Sequence, residues 1–429
     1  MGPRIWSVCF PLISKLPARA WRTVALLWVV GCLNYLDRIT ITTMRGSIEQ
    51  AIPMTEAKFG LLTAVFLFVY ALLSPLAGYL ADRFSRSQLI IFSLIAWSAV
   101  TWLTGLATTY PELLLTRALM GVSEAFYLPA ALALICDFHR DRTRALANGI
   151  HLSGVMIGSA LGGVGGWLAQ NQSWAYAFKL FGLFGIGYSL VLIRFLKESD
   201  MGIEAPDAGV SSAQPERFNG TLQILLSDRT FLTTAVYWAM LSVAGWGVLG
   251  WMPTYLNEQF HLDQGRAGLS ATGYINVSAL LGMIIGGAWS DWWSRTNPRA
   301  RIWVPMIGLC VAAPAIFIVA YTSVVAMALL GLIFYGLARA FADANMMPIL
   351  CLMFDRRCRA TGYGVLNFVG CIVGGITIYL GGILRDHDVR VSLIFAAAAV
   401  AITGCVVLLL AMKPRNYGDA DQFQRIHSG

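Results

Sequence analysis

Residues 78–86 read Gly-Tyr-Leu-Ala-Asp-Arg-Phe-Ser-Arg, and residues 287–295 read Gly-Ala-Trp-Ser-Asp-Trp-Trp-Ser-Arg. Gly78, Asp82 and Arg86 in the first segment keep the spacing of Gly287, Asp291 and Arg295 in the second, 209 residues later. A second echo follows each of them. Asp137 opens DFHRDRTRALANG and Asp355 opens DRRCRATGYG, 218 residues on. The two offsets bracket half of the 429-residue length, so the chain reads as two copies of one unit.

Each of these polar segments closes an apolar run, and working outward from them gives the whole organisation. Windows of about 19 residues mark apolar spans near 23–44, 59–81, 88–107, 110–136, 144–169, 175–196, 230–256, 267–290, 301–321, 324–351, 360–384 and 390–412. The chain is 57% hydrophobic and 13% charged, against about 25% charged in a soluble domain. The expectation is therefore an all-α membrane protein with twelve transmembrane helices in two pseudo-symmetric six-helix bundles. Residues 1–196 form the first bundle, 197–229 a central cytoplasmic loop, and 230–429 the second bundle with a short tail. The first span has no small-residue cleavage site after a short core and reads as a retained helix, not a removable signal.

The net charge of +8 first suggests an anionic partner such as nucleic acid, but the placement of the cations decides otherwise. With the amino terminus inside, 22 of the 31 Lys and Arg residues fall in cytoplasmic segments and six in the opposite loops. That asymmetry is what sets topology in a membrane protein. Both termini are thus expected in the cytoplasm, in a multi-pass protein of a bacterial inner membrane. No nucleic-acid partner is expected. The eight cysteines are scattered without paired metal-ligand spacing. There is no His-x-x-x-His, no Gly-x-Ser-x-Gly and no glycine-rich phosphate loop, so the chain reads as neither an enzyme nor a nucleotide-driven pump.

Six ionisable residues lie inside the spans: Asp37, Arg38, Arg117, Glu124, Arg339 and Asp343. A charge at membrane depth costs a few kcal/mol or more, so each is a functional candidate. Asp37 and Arg38 are consecutive and point about 100° apart, which lets them serve different partners. Arg117 and Glu124 are seven apart and make a polar stripe along one direction. Arg339 and Asp343, at i and i+4, suit either a local pair or a second polar site facing substrate from the carboxy-terminal half. His151 is a candidate hydrogen-bonding contact. Gly154, Gly158, Gly162 and Gly166 line one helix face and are expected to pack closely while permitting sliding between the halves. Tyr274 and Trp246 lie deep enough in their spans to stack on a substrate.

The loop motif, its echo and the six-plus-six arrangement resemble the major facilitator superfamily. That resemblance implies cavity-lining roles for helices 1, 4 and 10, and a conformational latch at Gly78, Asp82, Arg83, Arg86, Gly287, Asp291 and Arg295. Ser85 and Ser87 depart from the usual loop pattern. Within the superfamily, N34-Y-L-D-R38, R117-A-L-M-G-V-S-E124, W251-M-P-T-Y-L256 and N367-F-V-G-C-I-V-G-G375 are similar to the anion:cation symporters, above all bacterial sugar-acid transporters. By that resemblance Asp37 and Glu124 are protonation sites modulated by Arg117, Arg38 binds a substrate carboxylate, Asn367 binds hydroxyls, and Tyr35 is a further contact. The expected function is proton-coupled symport of a small organic anion such as a hexonate or hexuronate, by a monomer with no cofactor. Spinster-like lysolipid transporters carry similar patterns in helices 1 and 4 and form the alternative.

Overall fold

The computed structural model describes residues 18–139, 143–198, 218–297, 299–353 and 359–412. Twelve of its helices are long and apolar enough to cross a membrane: Arg19–Thr43, Glu56–Ala81, Arg86–Thr104, Tyr110–Phe138, Leu146–Asn171, Trp174–Phe195, Arg229–Phe260, Gln264–Ser294, Ala300–Tyr321, Val325–Met353, Thr361–Asp386 and Val391–Ala411. They are spans 1 to 12 below. In hydrocarbon every backbone amide must find its partner within the segment, which is why apolar runs of this length become helices.

Two spans are broken. Span 4 consists of Tyr110–Glu124 and Tyr127–Phe138. In an unbroken helix Pro129 would lack an N–H for the Ala125 carbonyl and would crowd it. Breaking at Ala125 and Phe126 puts Pro129 in the first turn of the second piece, where its missing donor costs nothing. The Ser93 hydroxyl donates to the freed Ser123 carbonyl at 2.5 Å. Span 5 breaks between Leu161 and Gly163, and there Thr43 and Thr272 donate to the Gly162 and Ala160 carbonyls at 3.0 and 2.8 Å. A third difference from expectation lies in the central segment: Phe218–Ser227 is helical, and Leu225 packs into the core of the second half.

The two halves meet along two edges, span 2 against span 11 and span 5 against span 8. Glycines let these backbones approach: a Cβ on Gly60 would lie 2.9 Å from the Ile378 carbonyl, and one on Gly163 would lie 2.6 Å from the Leu269 Cα. These contacts lie toward the face opposite the one on which the described chain begins and ends. At the other ends of the same four helices the picture reverses. Gly78 of span 2, Gly149 of span 5 and Gly364 of span 11 have open space where a Cβ would sit, and Gly287 of span 8 reaches only Ala344 of its own half. The halves therefore splay apart on the terminal face and close on the opposite face.

The glycine stripe of span 5 does something narrower than expected. Gly154, Gly158 and Gly162 seat it on span 1, against Trp28, Cys32 and Ile39. This packing is internal to the first half. Gly163 and Gly166 lie against span 8 of the other half.

Candidate functional site

Arg38, in the last third of span 1, is almost fully buried and its guanidinium is held from several sides. Nη2 donates to Glu124 Oε2 of span 4 at 3.0 Å and lies 3.5 Å from Asn34 Oδ1. The guanidinium carbon sits 4.5 Å from the Tyr35 ring, 4.6 Å from Phe66 and 4.8 Å from Tyr70. Three aromatic faces around one planar cation fix the direction of its fork. Glu124 is the last residue of the first piece of span 4.

Asp37 turns the other way, as consecutive residues on a helix must. Its Oδ2 accepts from the Thr101 hydroxyl of span 3 at 3.3 Å. Arg117, 1% exposed, lies 5.6 Å from the Phe66 ring and forms no ion pair among the described residues. The cluster leaves buried polar atoms without a hydrogen-bond partner there: Asp37 Oδ1, Glu124 Oε1, Arg38 Nε, and Arg117 Nε and Nη1. Buried polar groups are nearly always satisfied, so several orphans at one place make this cluster the strongest candidate site among the described residues. Arg38 and Arg117 also line a small cavity of about 10 Å³ with Thr42, Thr63 and Trp246, the room of one water molecule. Cys371 and Ile378 of span 11 pack on the same cluster from the other half.

In the second half, Arg339 Nη1 donates to Asp343 Oδ2 at 2.9 Å. Asn367 is half-buried and makes no hydrogen bond among the described residues.

The Major Facilitator Superfamily model matches residues 27–378, most of the chain. The chain belongs to the major facilitator superfamily. It is a multi-pass membrane transporter and not an enzyme. Similar proteins include an MFS-type efflux pump of Mycolicibacterium smegmatis, 27% identical over 92% of this chain and 93% of its own length. A D-galactonate transporter of Escherichia coli is 25% identical over 94% of this chain and 98% of its own. The sphingosine-1-phosphate transporter SPNS2 of Xenopus tropicalis is 26% identical over 84% and 73%. Among solved structures, a bacterial homolog of the human lysosomal transporter spinster, inward-facing and unoccupied, superposes with a TM-score of 0.74 at 22% identity, covering 92% of this chain and 95% of that one. At that identity the likeness is one of fold.

The remaining expected site residues of this superfamily member are distributed unevenly. His151 is fully buried between spans 1, 4 and 5, edge-on to Tyr127 and beneath Gly31, and does not join the cluster around Arg38. Tyr274 lies in an apolar groove of about 500 Å³ on the outer side of span 8, with Leu269, Val277 and Leu281, away from the centre. Trp246 is central, seated on Gly374 of span 11. That glycine and Gly370, which carries Trp238, explain the small residues of the span 11 motif as a floor for span 7 aromatics.

Each loop motif pairs inside its own half. Arg86 bonds Asp137, Asp291 meets Arg301 at 3.8 Å, and Arg83 lies over the Tyr79 ring at 4.3 Å. Arg295 caps the end of span 8. The Asp82 side chain lies outside the described residues. Ser85 and Ser87, the departures from the usual motif, have a use here. Glu198, just after span 6, accepts from the Ser85 and Ser87 hydroxyls at 2.6 and 2.8 Å and from the Ser87 and Arg86 backbone at 3.1 and 3.3 Å. Burial pushes the Glu198 carboxyl up, but these donors outweigh it and hold it below the usual carboxylate range.

Charge arithmetic missed one functional group, Arg45, counted there as a loop cation. It is 8% exposed and pairs with Glu49 at 2.8 Å and with Glu56; its Nη1 donates to Thr254 of span 7 at 3.1 Å and approaches Glu258 at 3.9 Å. Arg385 of span 11 adds bonds to Glu258 at 2.6 Å and Glu56 at 3.6 Å, and Asp386 accepts from the first backbone N–H groups of span 2. Burial raises Glu49 above the usual carboxylate range despite Arg45. The Trp251-Met252-Pro253-Thr254 motif thus helps to close the opposite face, with Arg45 5.5 Å from the Trp251 ring.

Proposed function

We propose that this transporter is a proton-coupled symporter of a small organic anion, a sugar acid of the hexonate or hexuronate class, working by alternating access. The observation that carries the reading is the Arg38–Glu124 pair. Glu124 occupies the fork that a substrate carboxylate needs, because a guanidinium binds carboxylates two-pronged. Proton uptake by Glu124 removes its charge and releases the fork; a carboxylate then takes its place. The net charge buried at the cluster is the same before and after exchange, so the cavity can close over proton plus anion but not over either alone. Asp37, with one oxygen unpartnered, is the second proton carrier, and Arg117 sets the field between the two carboxylates. Asn367, unbonded on span 11, is placed in this reading against substrate hydroxyls.

The open terminal face corresponds to the cytoplasmic side if the excess of positive loops sets the orientation. The galactonate transporter among the relatives supports the sugar-acid class. A second reading, lysolipid transport, is favoured by the spinster and SPNS2 relatives. Proteoliposomes with an imposed proton gradient decide. Gradient-driven uptake of a labelled hexonate, lost on Glu124→Gln, supports the proposal; uptake of a lysolipid with no response to hexonates overturns it.

A further inference from the structure

The Arg339–Asp343 pair is partly exposed and lies beside span 7. The flanks of span 10 around it are used for packing: Leu337 meets Gly282 of span 8, and Phe341 meets Gly286 of span 8 and Gly308 of span 9. Arg339 and Asp343 point elsewhere and keep side-chain exposures of 24% and 31%. Gly245 of span 7, whose Cβ position abuts Arg339, adjoins Trp246, which lines the small cavity with Arg38 and Arg117, so the pair stands at the level of the Arg38 cluster.

Arg339 is seated by an absent side chain. A Cβ on Gly245 of span 7 would stand 2.7 Å from its Nη2. The neighbouring Ala244 carbonyl accepts from the Tyr335 hydroxyl at 3.1 Å, holding spans 7 and 10 together at this level. With Nη1 committed to Asp343, Arg339 Nε has no hydrogen-bond partner among the described residues, and neither does the buried Tyr237 hydroxyl of span 7. Asp343 Oδ1 is likewise unused.

We propose that Arg339 and Asp343 form a hydroxyl-reading site that takes the polyhydroxylated end of the substrate whose carboxylate Arg38 holds, with Gly245 as the residue that sets its geometry. The proposal rests on the organic-anion reading above and narrows it. Arg339 Nη2, which makes no hydrogen bond among the described residues and is not one of the buried orphans, beside the unused Asp343 oxygen matches two adjacent hydroxyls, one accepting from Arg339 and one donating to Asp343. A second carboxylate would have to displace Asp343 from Arg339. An alkyl tail would strip water from an ion pair and return no hydrogen bond, which is costly. A site built to bond hydroxyls rejects an analogue that lacks them far more strongly than an apolar pocket rejects an added group.

The test is binding of gluconate and of hexanoate to the purified full chain, compared in wild type, Asp343→Asn and Gly245→Ala. Gly245→Ala meets only the flexible end of Arg339, so it moves the guanidinium without disturbing backbone packing. Wild type should bind gluconate at least tenfold more tightly than hexanoate. Both variants should lose most of that preference while hexanoate affinity stays within about twofold, which also shows that the variants are folded. A preference retained in both variants overturns the proposal, as does equal loss of the two ligands. Equal wild-type binding of gluconate and hexanoate overturns the hydroxyl site alone. Failure of wild type to bind either acid overturns the organic-anion reading and this inference with it.

Discussion

Arg45 and Thr254 stand 209 residues apart, the offset that also relates Gly78 to Gly287, and their side chains meet at 3.1 Å. The contact links the closed ends of spans 1 and 7, and Arg45 sits where the halves must part if the opposite face is to open. The two edges along which the halves meet differ in chemistry. Spans 2 and 11 are joined by Arg385 to Glu56 and by Asp386 to the first backbone N–H groups of span 2, with Glu258 of span 7 alongside, whereas spans 5 and 8 are joined through neutral amides, Gln264 to the Gly166 carbonyl and Gln170 to the Gly265 backbone.

Removing the pin should open the charged edge first. Arg45→Met keeps the stem but leaves Glu49, Glu56 and Glu258 sharing a partly buried site with one arginine, and truncating one partner of such a network costs several kcal/mol. Shifts of about 1–3 kcal/mol suffice to move a conformational equilibrium five- to 150-fold. Spin labels at Lys58 and His387, both exposed at this edge, should gain a longer-distance population in the variant. Labels at Gln172 and Arg266, on the amide-linked edge, should change less. An unaltered Lys58–His387 distribution would show that Arg45 does not hold the face shut.

The coupling reading makes a different kind of prediction. Glu124→Gln should abolish gradient-driven accumulation, because the fork of Arg38 is then permanently released, while exchange of labelled for unlabelled anion across the membrane continues. Asp37→Asn should have the same signature. Arg38→Lys should weaken anion binding about tenfold or more, since a point charge replaces a planar fork. Counterflow and accumulation measured on the same proteoliposomes check all three; accumulation that survives both carboxylate variants sinks the assignment of the proton sites.

Much of this was legible in the residues themselves. Twelve apolar runs with an internal repeat dictate the bundle, since lipid permits little else, and buried charge is conspicuous where only 13% of residues are charged. The approach of Arg38 to Glu124 was not, because it depends on how spans 1 and 4 pack against each other, which 86 residues of separation do not reveal. Arg45 escaped notice for another reason. A cation at a span end looks like any topology-setting charge, and its partners Glu56, Thr254 and Glu258 are assembled only when span 7 docks beside spans 1 and 2. His151 illustrates the converse: an imidazole inside a span looks chemical, yet tight packing under Gly31 keeps it from the central cluster.

Glycine substitutions should separate closed from open surfaces. A Cβ on Gly158 would stand 2.0 Å from the Cys32 carbonyl, a backbone atom that cannot step aside. Gly158→Ala should therefore destabilise the first half by about 1–3 kcal/mol, as overpacking generally does. Gly149→Ala, nine residues earlier in the same helix and facing open space, should be neutral or slightly stabilising through helix propensity. Thermal unfolding in one detergent compares them directly, and equal melting points would contradict the span 1–span 5 contact.

Glu198 offers a prediction with a definite pH sign. Its carboxylate caps the amino-terminal end of span 3 through Ser85, Ser87 and two backbone N–H groups, and its own carbonyl accepts from Arg19 at 2.7 Å, tying the start of the central linker to the first half. Cap interactions of this type are worth about 1 kcal/mol. Because the folded pKa lies below the unfolded value, the stabilisation is complete above the ordinary glutamate pKa of about 4.3 and disappears as pH falls through the folded value. Glu198→Gln, which still accepts through one oxygen but carries no charge for the helix end, should melt lower than wild type at pH 7. Below the ordinary glutamate pKa of about 4.3 the gap should narrow, since the charge then contributes progressively less to wild-type stability. A gap that stays constant from pH 7 to pH 3 would mean that the carboxylate charge contributes nothing to the clasp, leaving only its shape and its hydrogen-bond acceptors.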